Sequence, residues 1–160
     1  AENILRGSRR KYLIIRPNVL YGEDITFKGN YFAWVYKSLL NNKAISVVND
    51  QISNPTYVSQ LADAIFHCIM LNAEGIYHYG SEDYFSRYEF ALMIADYFDL
   101  NKNLITSIKT KELSNNISSY IAKRPTHSGL KTSKIENEIG VTSYSVDYSL
   151  SILKKIIEIQ

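Results

Sequence analysis

The run "KYLIIRPNVLYG", Lys11 to Gly22, decides the fold. From Tyr12 to Ile15 it is apolar without a break, and Pro17 ends it. A strand with one wet face alternates apolar and polar residues. A continuous apolar run suits a strand covered on both faces, as in parallel sheets. The residues that follow are polar and carry Gly22. In open α/β sheets ligands bind beyond the carboxyl ends of the strands. The segment at Pro17 and Asn18 is therefore the first candidate binding loop.

Working outward, "AENILRG" before this strand reads as the end of an amphipathic helix. After it, "NYFAWVYKSLLNN" (30–42) has apolar residues at Phe32, Val35, Tyr36, Leu39 and Leu40. That spacing is helical, with Asn30 as the cap. "AISVV" (44–48) reads as a second strand and "NDQISNPTY" as a polar connection. "VSQLADAIFHCIMLN" (58–72) reads as a helix with Ser59 as its N-cap. "GIYHYG" (75–80) is a strand between glycines. Ser86-x-x-Glu89 is a capping box, in which each side chain satisfies the other residue's orphan N–H. "LITSIKT" (104–110) is a fourth strand. Two helices close the chain, the first ended by Gly140. Strands alternating with helices place the chain in the α/β class.

Composition narrows the function. The 160 residues are 46% apolar, enough for one core or part of a larger one. Eighteen Lys+Arg against sixteen Asp+Glu leave a net charge of +2, which gives no footing for nucleic-acid or anionic-membrane binding. No apolar stretch is long enough to span a bilayer, and no signal peptide is visible. The single cysteine, Cys68, excludes an internal disulfide and suits a reducing, cytoplasmic setting. It lies in "AIFHCIML", where a buried inert thiol is expected. Arg9-Arg10-Lys11 reads as a solvated turn.

The chain carries no G-x-G-x-x-G and no P-loop, hence no phosphate cradle of that type. His67, His78 and His127 lack metal-ligand spacing. No paired carboxylates or Ser-His-Asp set stand out. Three polar loops remain: "RPNVLYG", "DQISNPT" and "KRPTHS". The last places Arg124 where its guanidinium could fork onto a phosphate or carboxylate. Against this, Arg16 could pair with an acid, Arg124 could tie to backbone carbonyls, and Pro17, Pro55 and Pro125 could simply end elements.

Five stretches carry a resemblance: "IIRPNVLYG", "NYF", "VVNDQISNPTYVSQLADAI", "GIYHYGSEDYFSRYEFALMIA" and "AKRPTHSGLKTSKIENEIG". In order and spacing the chain resembles the C-terminal half of extended short-chain dehydrogenases/reductases. It is most similar to the dTDP-4-dehydrorhamnose reductases, the RmlD-like branch. The resemblance implies the last parallel strands and helices of a Rossmann-like NAD(P)-binding fold plus a small α/β substrate-binding subdomain. Residues 1–28 and 44–72 would belong to the sheet remainder, and 29–43 and 73–160 mainly to the subdomain.

The resemblance also implies that the glycine-rich fingerprint and a Tyr-x-x-x-Lys pair lie upstream of Ala1. These 160 residues alone would then be inactive, with no catalytic residue of their own and no bound cofactor. The full-length parent would use NADPH or NADH on a nucleotide-sugar substrate. Hydride would go to C4 of a 4-keto-6-deoxy sugar destined for cell-surface polysaccharide. Pro17 and Asn18 resemble the segment beside the nicotinamide. Val19 stands where the family usually has a Trp near the sugar. Asn30, Phe32, Asn54, Pro55, Thr56 and Arg124 are the further substrate-side candidates. Two alternatives stay open: a nucleotide-sugar epimerase or dehydratase of the same superfamily, and a non-catalytic regulatory subunit of the kind found with methionine adenosyltransferase. The exposed first-strand region is expected to drive self-association or homo-oligomerisation.

Overall fold

The computed structural model describes residues 1–112 and 124–159. Helix α1 (Glu2–Gly7) leads into β1 (Leu13–Pro17) and the two-residue strand β2 (Leu20–Tyr21). Then come α2 (Tyr31–Leu40), β3 (Ile45–Val48), β4 (Ile52–Ser53), β5 (Thr56–Tyr57) and α3 (Val58–Met70). Next are β6 (Gly75–Tyr79), β7 (Phe85–Ser86), α4 (Arg87–Tyr97), a 3-10 turn (Lys102–Leu104) and β8 (Ile105–Ile108). Helices α5 (Ser133–Ile139) and α6 (Val146–Ile159) follow. The α/β class and all four longer strands stand where the sequence places them.

Three strand pairs are parallel and one is antiparallel. β1 runs beside β6 from Leu13↔Gly75 to Pro17↔Tyr79, β2 beside β5, and β3 beside β8. β4 and β7 are antiparallel. Among the described residues β1 has no strand on its other edge.

Two hydrophobic clusters organise these pairs. In the first, α2, α4 and α6 close over β3 and β8, with Phe32, Val35, Phe90, Ile94, Val146, Leu150 and Leu153 at its centre. Aromatic rings fill it: Tyr31 stacks on Phe90 at 5.5 Å, and Tyr21 meets Phe90 edge-on at 5.0 Å. The second cluster packs α3 and α5 on β1 and β6 through Leu61, Ala64, Cys68, Tyr77, Tyr79 and Ile135.

β3, placed by sequence in the sheet remainder, pairs with β8 and buries Ile45 and Val47 in the first cluster. β6, assigned to the subdomain, pairs with β1. A strand's partner, not its place in chain order, decides which core it joins.

Local signals explain the helix ends. Asn30 caps α2 by accepting from the Ala33 N–H, and Ser86 and Glu89 form the expected reciprocal box at α4. Gly140 adopts φ +75°, a left-handed conformation that ends α5 without a Cβ clash. Ser59 is not the cap of α3. The helix starts at Val58, directly after β5, with Tyr57 at the cap position, and the Ser59 hydroxyl instead donates to Glu23 at 3.0 Å.

Candidate functional site

A groove opens beyond the carboxyl end of β1, between the β1–α2 connection, the start of α4 and the loop that holds Arg124. It has two lobes. The larger, about 330 Å³, is lined by Val19, Leu20, Lys28, Gly29, Asn30, Tyr31, Trp34, Arg87 and Arg124. The smaller, about 250 Å³, is lined by Asn18, Val19, Gln51, Ser53, Arg87, Arg124, Pro125 and Ser128. The lobes meet at Val19, Arg87 and Arg124, which line both. Together they fall within the usual size of a small-ligand site.

The arginine loop is held by backbone pairing. The Ile52 N–H donates to the Thr126 carbonyl at 2.7 Å, and the Ser128 N–H returns to the Ile52 carbonyl at 2.9 Å. The loop thus lies along β4 as a short extra strand, with an Ile52–His127 bridge. Asn54 pins its far end. Its Nδ2 donates to the carbonyls of Leu130 and Ser81, and its Oδ1 accepts from the Leu130 N–H at 2.8 Å. The Asn18 amide donates to the Ser128 carbonyl at 2.6 Å, tying the end of β1 to the same loop.

Arg87 is the residue that the sequence reading missed. It is the first residue of α4, behind the Ser86 cap, where a solvated helix-surface arginine is the ordinary expectation. Tyr31 holds it twice. The Tyr31 hydroxyl donates to the Arg87 carbonyl at 2.7 Å, and the guanidinium lies over the Tyr31 ring at 5.4 Å. Burial first, and then repulsion from Arg124, push the Arg87 guanidinium below its usual value, while Tyr31 opposes the shift. Neither Arg87 nor Arg124 pairs with a carboxylate among the described residues. Among the described residues no acid lines either lobe.

The other candidates divide. Asn18, Val19, Asn30 and Arg124 line the groove; Asn30 does so with its amide committed to the carbonyls of Gly22 and Asp24. Val19 has φ +33°, a strained setting for a β-branched residue, and such strain clusters where a site dictates the backbone. Pro17 is exposed at the end of β1. Phe32 is not in the groove. It is fully buried against Tyr36 and Phe98, because the α2 turn that aims Trp34 outward aims Phe32 at α4. Asn54, Pro55 and Thr56 are buried struts behind the wall: Thr56 accepts from the Asn18 N–H, and the Pro55 carbonyl accepts from the Ser81 N–H. Arg16 pairs with Glu2, the plainer of its two readings. Cys68 is buried, and burial pushes its thiol up. No His/Cys/Asp/Glu cluster among the described residues could hold a metal, and no helix there is long and apolar enough to cross a membrane.

This geometry can be set beside known proteins. The family model described as RmlD substrate binding domain matches residues 1–156. The chain belongs to the RmlD substrate-binding family. It is 31% identical over 140 residues to the spore coat polysaccharide biosynthesis protein SpsK of Bacillus subtilis, covering 88% of this chain and 46% of that one. It is 28% identical over 151 residues to dTDP-4-dehydrorhamnose reductase of Aggregatibacter actinomycetemcomitans, covering 88% of this chain and 49% of that one. The crystal structure of dTDP-4-dehydrorhamnose reductase from Bacillus anthracis, in complex with NADP, superposes with a TM-score of 0.83 at 28% identity, over 98% of this chain and 52% of that one. Solved dTDP-glucose 4,6-dehydratases and UDP-glucose 4-epimerases share the fold at 13–14% identity, a likeness of fold alone. The chain spans about half the length of the curated relatives it matches.

Proposed function

We propose that this RmlD-family chain is the substrate-binding half of a nucleotide-sugar reductase, and that its groove holds a sugar nucleotide by the diphosphate. The observation that carries this is the pair Arg87 and Arg124, two guanidiniums without carboxylate partners among the described residues, where the two lobes of the groove meet. Like charges held together and shielded from acids suit a ligand with two adjacent negative groups. The lobe with Asn18, Gln51, Ser53 and Ser128 offers amide, hydroxyl and carbonyl groups, which suit sugar hydroxyls. It adjoins the end of β1, so the sugar lies on the side where Pro17 and Asn18 stand.

The residues present fit one edge of a nicotinamide and no more. Asn18 ends the β1 segment with an Oδ1 that accepts nothing among the described residues, and the sequence has no glycine-rich phosphate turn. When bound by a complementary half, a nicotinamide would supply the hydride. The residues of this chain bind and orient the sugar nucleotide.

Each charge-assisted contact from Arg124 to a phosphate oxygen contributes about 1.5–3 kcal/mol. Calorimetric titration with dTDP tests this. Arg124→Ala should weaken binding about 10-fold or more without changing the fold. An unchanged affinity in that variant would overturn the proposal. For the complete gene product, turnover of NADPH with dTDP-4-keto-rhamnose is expected, and no cofactor oxidation with any nucleotide keto-sugar would count against it.

A further inference from the structure

We infer that Thr110 is a positioning residue for the groove: it turns the Gln51 amide so that its carbonyl oxygen serves the smaller lobe, and that lobe reads hydrogen-bond donors on the bound ligand. This deepens the proposed function and rests on it for the ligand.

Two strand ends bring the parts together. β3 and β8 are parallel, so the chain just past Val48 and just past Ile108 leaves the sheet at the same, carboxyl edge. There the Thr110 hydroxyl donates to the Asp50 carboxylate at 2.6 Å, and the Thr110 N–H donates to both carboxylate oxygens at 3.1 Å. The Gln51 Nε2 donates to the Thr110 hydroxyl oxygen at 3.0 Å. Gln51 is buried and lines the smaller lobe, and its backbone carbonyl accepts from the Arg87 N–H at 3.2 Å.

Proton counting fixes the amide. A hydroxyl has one proton to give, and an ionised carboxylate only accepts. The Thr110 hydroxyl, above all, holds the Asp50 carboxyl below its ordinary value, which favours the ionised form. Thr110 therefore spends its proton on Asp50 and can only accept from Gln51. The Gln51 NH2 must face Thr110, and its Oε1, which accepts nothing among the described residues, is left for the lobe. Asn18 is set the same way. Its Nδ2 donates to the Ser128 carbonyl, which cannot donate in return, and its Oδ1 is left over. Two amides that could each offer either end thus both offer acceptors. A ligand hydroxyl can donate to them. A fluorine in its place has no proton to give and leaves a carbonyl unpaired.

Calorimetric titration with dTDP, dTDP-rhamnose and the monodeoxyfluoro dTDP-rhamnoses tests this. Wild type should bind dTDP-rhamnose more tightly than dTDP, and at least one fluoro analogue should bind about 2- to 12-fold more weakly than dTDP-rhamnose, the worth of one hydrogen bond. Thr110→Val keeps the shape and removes the hydroxyl. One of these penalties should vanish in it, while dTDP affinity stays unchanged, which a merely structural role for Thr110 would not produce. Thr110→Ser restores the hydroxyl and should restore the penalty. In Asp50→Asn the new amide can donate to Thr110 and free its proton for Gln51, so the same penalty should vanish; this variant carries the test if Thr110→Val does not fold. Suppose dTDP binds in an Arg124-dependent way, yet wild type shows no fluoro penalty, or every penalty persists in a folded Thr110→Val or Asp50→Asn protein. The inference then falls and the diphosphate reading stands. If neither dTDP nor dTDP-rhamnose binds, the diphosphate reading falls and takes the inference with it.

Discussion

Asn54→Ala separates a strut from a ligand contact. The Asn54 side chain is fully buried and makes three hydrogen bonds, two with the Leu130 peptide and one with the Ser81 carbonyl. Alanine removes all three and leaves a buried N–H and two carbonyls without that partner. At about 1 kcal/mol for each bond, and somewhat more where a buried group is left unsatisfied, the fold should lose about 2–4 kcal/mol. With a urea m-value of about 2–3 kcal/mol/M, the unfolding midpoint should fall by about 1 M. The assay is equilibrium urea unfolding followed by circular dichroism, with dTDP titration of the native variant alongside. Binding should weaken as well, since the loop that places Arg124 is released at Leu130. A midpoint within about 0.2 M of wild type, together with lost dTDP binding, would refute the reasoning and put Asn54 in contact with ligand.

Gly80→Ala should destabilise by about 1–3 kcal/mol, because the new Cβ would lie 2.5 Å from the pinned Asn54 amide nitrogen and 3.1 Å from its carbonyl; a wild-type midpoint would show that Asn54 gives way. Ser86→Ala removes the α4 cap and should cost about 0.5–2 kcal/mol in the same unfolding assay. Cys68 should resist maleimide in the native protein and react on denaturation, since it is buried with its thiol pushed up; rapid native labelling would contradict that. Burial raises the phenols of Tyr21, Tyr31 and Tyr79 above their ordinary value of about 10. A folded value above the unfolded one means that their contribution is intact below pH ~10 and is lost as pH rises further. Phenolate absorbance of these three should therefore appear together with loss of ellipticity, and full titration with retained ellipticity would disprove it. By light scattering the chain should self-associate through the β1 region; a strictly monomeric species would contradict this.

Legibility followed signal length. The strand at 13–17 and the helix at 31–40 announce themselves through apolar runs and periodicity, and the Ser86–Glu89 box through spacing. Strands of two residues, β2, β4, β5 and β7, have no period to detect, so "NDQISNPTY" reads as a polar connection although it holds two of them. Among the groove residues, Arg124 was singled out in the sequence because it stands beside a proline in a polar loop after an α/β element. Arg87 was not, because at the first position of a capped helix it looks like any surface cation. Asn54 and Thr56, candidates on the substrate side by sequence, are buried behind the groove wall and bonded to its loops. Short polar side chains serve ligand and backbone with the same atoms, and only burial distinguishes the two.

The adjacency of Arg87 and Arg124 has an implication for how the protein lives. Arg87 and Arg124 repel each other, and neither pairs with a carboxylate among the described residues. An arriving dianion relieves that tension, so the idle molecule is the more fragile one. If the proposed diphosphate ligand binds there, the protein's resistance to heat and proteolysis would rise with the supply of that ligand.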